Sequence, residues 1–159
     1  MRSSAASDVY KRQEVFGLIG NNGAGKSTLL RMAAGILKQD KGNVRIDDME
    51  VYDNAAAKEK VFYISDECYF PANFTSGDIA AFYQVHYPKF EIQRFSKLMR
   101  QFQLDEKQKV SSFSKGMKKQ LMMLLGISAG TKYLPVSLLI DKESSGQPSN
   151  LLVDTLSII

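Results

Sequence analysis

Cysteine is almost missing from this chain, with Cys68 the single example among 159 residues. One thiol cannot form an internal disulfide, which fits a reducing cytosol. Histidine is equally scarce. His86 stands alone beside Tyr87 and reads as a structural residue near a helix end. No apolar run approaches the roughly 20 residues needed to cross a bilayer. Residues 1–13 lack the apolar stretch of a secretory signal. Strong charge is absent too. The formal net charge is +4, and Arg2, Lys11 and Arg12 against Asp8 supply half of it. The rest of the chain is close to balanced, so charge gives little support to a nucleic-acid partner. No internal repeat is visible. What is present is a 44% hydrophobic composition and enough length for one domain with a real core.

The segment MRSSAASDVYKRQ (residues 1–13) shows neither helical nor strand periodicity. Ser3 to Gln13 also reads as the in-frame translation of a transposase adaptor. These residues are therefore expected to be a cloning or assembly scar outside the fold, against the alternative of a native tail. A buried-strand pattern starts at Val15 and runs VFGLI into a glycine. A helix is predicted from Lys26 to about Leu37, with Leu29, Leu30, Ala33 and Ile36 toward a core. Asn43 to Asp47 alternates as a strand, turns at Asp47-Asp48, and returns near Glu50 to Tyr52. Val61 to Ile64 is a further strand. Thr75 with Asp78 forms a capping-box pattern before a helix carrying Ile79, Phe82 and Tyr83. Ile92, Phe95, Leu98, Met99 and Phe102 form another apolar stripe. A last helix runs from Lys115 to about Ala129, and Leu138 to Ile140 is a possible final strand. The aromatic and Met stripes read first as core packing.

Chemistry concentrates in GNNGAGKST, which is Gly20, Asn21, Asn22, Gly23, Ala24, Gly25, Lys26, Ser27 and Thr28. The pattern G-x-x-x-x-G-K-[ST] is met by Gly20, Gly25, Lys26 and Ser27. Glycines let backbone N–H groups curl around phosphate oxygens, and a helix N-terminus adds partial positive charge. Lys26 is suited to the β- and γ-phosphates and the Ser27 hydroxyl to Mg2+. Thr28 is a further phosphate contact. A Gly-rich helix cap would be the bland reading, but it gives no reason for Lys-Ser at the helix start. A second motif, SFSKGMKKQ (Ser112 to Gln120), opens an apolar helix. Ser114 and Gly116 put a hydroxyl and a close-approach glycine at that helix start, again suited to phosphate.

Together these motifs resemble the nucleotide-binding domain of ABC transporters, in the P-loop NTPase class. Phe113 to Met117 lies on the family's LSGGQ signature, with the first Gly and the Gln replaced. GNNGAGKSTLLRMAAGILKQDKGNVRID resembles the family's first β-α-β stretch. The resemblance covers about Glu14 to Leu134 and is closest to ATPases of the ABC-2 export class, including antibiotic and multidrug exporters. It implies an α/β fold: a mostly parallel core sheet, a small antiparallel β piece, and a helical subdomain at about 75–109. It also implies ATP with Mg2+, hydrolysis that drives export through a separate membrane permease, and pairing with a second nucleotide-binding subunit. The location implied is cytoplasmic, on the inner face of the membrane through the permease. Asp66 falls on the family's Q-loop, in place of Gln, where an acid could still ligate Mg2+. Ser114 and Gly116 would contact ATP held by the opposite subunit.

Other family features are missing. The adenine-stacking aromatic would lie upstream of Glu14. His86 precedes the signature, so it is not the late switch histidine. The family's Asp-Glu strand end, offset from Gly116, lands on Ser137. LLIDKESSGQPS can instead be laid on the family's Asp-Glu-Pro-Thr-Ser-Gly stretch, which makes Asp141 the metal-assisting acid and Lys142 the substitute for the catalytic Glu. Residues 135–159 are thus divergent or out of frame. Two rivals follow: a non-hydrolysing nucleotide-binding fragment, and a soluble ABC protein acting on ribosomes, a type that usually carries two such cassettes.

Overall fold

The computed structural model describes residues 15–20, 23–140 and 151–158. It divides into two units, one ending at Tyr63 and resuming at Lys132, the other Ile64–Thr131.

In the first unit, β1 (Val15–Gly20) leads into α1 (Lys26–Ala33). The helix is shorter than the apolar spacing predicts, and the cause is Gly35. Its φ is 68°, and an added Cβ would lie 2.6 Å from the Val51 carbonyl oxygen. The Gly35 N–H donates to the Met32 carbonyl (2.9 Å), a closing turn that ends the helix before Leu37. Leu30 is buried, but Leu29 and Ile36 are exposed, contrary to the expected core face. Next come β2 (Arg45–Ile46) and β3 (Met49–Glu50), paired antiparallel. Asp47 and Asp48 between them have φ of 47° and 64°, the two left-handed positions of a tight hairpin turn. A short helix, α2 (Ala55–Lys58), was not evident from spacing. It is capped by the Asn54 Oδ1, which accepts from the Ala57 N–H.

Val61 to Ile64 does not form a full strand. Val61 bridges Tyr133 in parallel, and the Phe62 N–H donates to the Tyr133 carbonyl at 3.0 Å. The final strands are β4 (Tyr133–Ile140) and β5 (Leu151–Ile158). Their sheet has the order β1-β5-β4, and β5 runs antiparallel to both neighbours. The expected mostly parallel pairing is therefore corrected for this sheet. β1 and β4 share a direction, but β5 lies between them. Only the stretch 141–150 separates β4 from β5. A parallel neighbour needs a crossover of about a dozen residues or more, usually a helix, whereas an antiparallel return does not.

The second unit is helical. It holds α3 (Ser76–His86), α4 (Ile92–Gln101), a 3-10 turn at Val110–Ser112, and α5 (Lys115–Ser128). The predicted capping box opens α3. The Thr75 Oγ1 accepts from the Asp78 N–H (3.1 Å), and the Asp78 carboxylate accepts from the Thr75 N–H (2.9 Å). Phe95 and Met99 on α4 are buried, as are Leu121, Leu124 and Leu125 on α5. Phe82 and Phe102, expected in these stripes, are instead exposed. The Ser128 hydroxyl, also buried, donates to the Leu124 carbonyl at 2.7 Å.

Candidate functional site

The glycine loop joins β1 to α1. Gly23 and Gly25 have φ of 82° and 85°, and an added Cβ at either would meet nothing within 4 Å. Glycine is therefore required here for backbone conformation, not for space. Successive residues in such conformations form the concave nests that bind anions. Gly25 is the N-cap of α1, with no side-chain cap bond and no acid in the first turn. The first turn of the helix thus brings no acid of its own to the helix's positive end. Lys26 is the first helical residue and is only 6% exposed. Ser27 follows in a half-buried position, and Thr28 is exposed. Gly20 ends β1 and Ala24 is exposed in the loop. Asn21 and Asn22 lie outside the described residues.

The Ser27 hydroxyl meets one side chain from β4: its Oγ is 3.5 Å from the Oγ of Ser137, which is 3% exposed. Ser137 is the residue on which the offset from the signature lands. Asp141 lies outside the described residues. These groups fit the phosphates of a nucleotide. They do not fit Mg2+ equally well, because Ser27 and Ser137 bring neutral hydroxyls, and Mg2+ in such sites is held through one or two carboxylates plus phosphates and water. Among the described residues, no group of three or more His, Cys, Asp or Glu is gathered as a metal site.

The signature residues belong to the second unit. Ser114 caps α5, its hydroxyl oxygen accepting from the Met117 N–H at 3.2 Å. The hydroxyl proton remains available to an anion. Gly116 is exposed, and an added Cβ would find only the Ser114 Oγ, at 3.8 Å. No packing demand among the described residues explains that glycine. Asp66 also lies in this unit and forms an ion pair with the Lys119 ammonium at 2.7 Å, with side chains 17% and 26% exposed respectively. Lys119, one residue before the end of the signature run, is the partner that sequence reasoning missed. Its basic character was visible, but no spacing rule connects positions 66 and 119. Cys68 is half-buried and donates weakly to the Ser65 carbonyl (3.6 Å). Burial pushes its thiol pKa up, with Lys119 opposing and Asp66 adding to the shift.

An apolar groove of about 270 Å³ opens beside α3, walled by Tyr69, Phe70, Phe74, Ile79, Phe82 and Tyr83. Tyr69 is 95% exposed there.

A strand, a glycine loop with left-handed turns, and a helix opening on Lys-Ser define a P-loop nucleotide-binding domain. The chain belongs to the ABC transporter family, which it matches over residues 7–134. It is 29% identical over 149 residues to the ABC transporter ATP-binding protein YtrB of Bacillus subtilis (strain 168), covering 94% of this chain and 50% of that protein. It is also 29% identical over 155 residues to the linearmycin resistance ATP-binding protein LnrL of the same organism, covering 92% and 49%. The chain thus spans about half the length of these relatives. Shorter matches, over roughly a quarter of the chain, include import ATP-binding proteins. Among solved structures, an ATP-binding subunit of an ABC transporter superposes with a TM-score of 0.68, at 24% identity over 74% of this chain and 52% of that one. No helix among the described residues is long and apolar enough to cross a membrane.

Proposed function

We propose that this chain is the ATP-binding part of an ABC exporter subunit. The nucleotide phosphates would lie in the cradle of Gly20 to Gly25, with Lys26 on the β- and γ-phosphates and Ser27 and Thr28 closing the helix end. The observation that carries this is the loop itself: left-handed Gly23 and Gly25 leading into a helix start with no side-chain cap and a lysine at its first position. When bound, Mg2+ neutralises phosphate charge; Ser27 is the loop residue suited to touch it. Asp66 would first have to give up Lys119. Ser114 and the otherwise unexplained Gly116 would meet ATP held by a second nucleotide-binding subunit.

The permease partner is read from the aromatic groove beside α3, whose exposed Tyr69 and Phe82 suit an apolar segment of another protein. Such docking would hold the subunit at the inner face of the membrane. Export, not import, is favoured because the relatives matched over nine-tenths of the chain include a resistance protein, whereas the importers match a short stretch.

A second reading, binding with little hydrolysis, is favoured by one observation. The described residue beside Ser27 is Ser137, a neutral hydroxyl that cannot act as a carboxylate base.

Titration of the purified chain with a fluorescent ATP analogue tests the core of the proposal. Lys26→Ala should weaken binding tenfold to a hundredfold, since charge-assisted bonds contribute about 1.5–3 kcal/mol. Equal affinity in the variant would refute the phosphate assignment.

A further inference from the structure

Resting on that nucleotide reading, we infer that Ser137 occupies the metal-facing position of the site, so that this chain binds nucleotide with little dependence on Mg2+. Three observations support it. Ser27, the loop hydroxyl suited to a metal, has the Ser137 hydroxyl as its partner from the neighbouring strand, at 3.5 Å. Ser137 is 3% exposed, so its place beside Ser27 is fixed by the interior of the unit and not by a mobile surface. The Ser27–Ser137 pair carries no formal charge.

The physical consequence follows from what a metal needs. Mg2+ is a hard cation that releases water reluctantly and is held through carboxylates together with phosphates. Two neutral hydroxyls offer it dipoles but no countercharge. The favourable charges for phosphate in the cradle are the backbone N–H groups, the end of α1 and Lys26, and none of these requires the metal. In this chain the phosphates are therefore held from the loop side, and the metal adds little to affinity.

Three carboxylates bear on the inference. Asp66 is engaged by Lys119. Asp154 is the register partner of Ser137 across the β4–β5 ladder. Asp141, the acid indicated by the family resemblance, lies outside the described residues. All three enter the test as asparagine variants.

The experiment is titration of the full 159-residue chain with a fluorescent ATP analogue, once in excess Mg2+ and once in EDTA. The wild type should change by less than about threefold between the two buffers. Ser137→Asp should bind at least about tenfold more tightly in Mg2+ than in EDTA, the lower end of what a shell residue contributes to metal affinity. Ser137→Asn, which adds bulk without charge, should show no gain in metal dependence whatever its absolute affinity, and so separates the effect of charge from that of disturbed packing. A wild-type affinity that falls tenfold or more in EDTA overturns the inference, and loss of that dependence in Asp66→Asn, Asp141→Asn or Asp154→Asn would name the carboxylate responsible. A folded Ser137→Asp chain without metal dependence also overturns it. Absence of binding in both buffers would refute the nucleotide reading and this inference together, whereas strong metal dependence refutes this inference alone.

Discussion

The ion pair between Asp66 and Lys119 offers two opposed outcomes, because the same carboxylate is also the family's Q-loop position. At 2.7 Å and an effective dielectric near 20, the gross attraction is about 6 kcal/mol. Removing two ions from water costs several kcal/mol each when burial is complete, and less here, where 17% and 26% of the side chains stay exposed. The net coupling should fall between that of a surface pair and that of a buried one, at about 1–3 kcal/mol. Asp66→Asn and Lys119→Met should each destabilise the chain, and the double variant should lose less than the sum, by that coupling. Urea unfolding followed by circular dichroism measures all four corners of the cycle. ATP-analogue titration on the same proteins should show unchanged affinity wherever the fold persists. Additive losses, with coupling below about 0.5 kcal/mol, would refute the view that Asp66 is a staple between its loop and α5. Unchanged stability with altered nucleotide turnover would assign Asp66 to the site instead.

Other outcomes follow from local geometry. Thr75→Ala removes one half of the capping box and should cost about 1 kcal/mol of stability, read from the urea midpoint. Asp47 accepts from Lys132, Lys60 and Tyr133, which hold its carboxyl well below the usual carboxylate range. Its contribution is therefore complete above the ordinary carboxylate pKa of about 3.9 and is lost as pH falls through the depressed folded value. Asp47→Asn should be less stable than wild type at pH 7, and the difference should vanish only well below pH 4. The raised thiol of Cys68 should make alkylation by iodoacetamide slower than for a free thiol at pH 8, with the gap closing on unfolding.

Much of the fold was legible because short-range rules governed it. The loop, the Asp47-Asp48 turn and the Thr75-Asp78 cap are each contained within a few residues, and each stands where its pattern indicates. The apolar stripe of α5 was legible for the same reason: Leu121, Leu124 and Leu125 fall on one helical face and are buried. Errors arose where a distant segment decided the outcome. The end of α1 depends on the left-handed turn at Gly35, where Val51 leaves no room for a side chain, and the exposure of Leu29 depends on what packs against that helix, so periodicity alone overextended it. The direction of β5 is set by the short separation from β4, which no residue pattern announces.

The metal-facing residue poses the same contrast between pattern and spacing. Resemblance of wording directs attention to Asp141, because an aspartate follows an apolar run there. Counting from Gly116 directs it to Ser137, whose side chain offers no charge. A strand advances about 3.3 Å per residue, so positions 137 and 141 differ by about 13 Å along a straight strand. Ser137, 3.5 Å from Ser27, is the described residue of β4 that meets the loop hydroxyl. The Ser137→Asp gain in metal dependence is therefore also a test of which of the two alignments describes the chemistry of this chain.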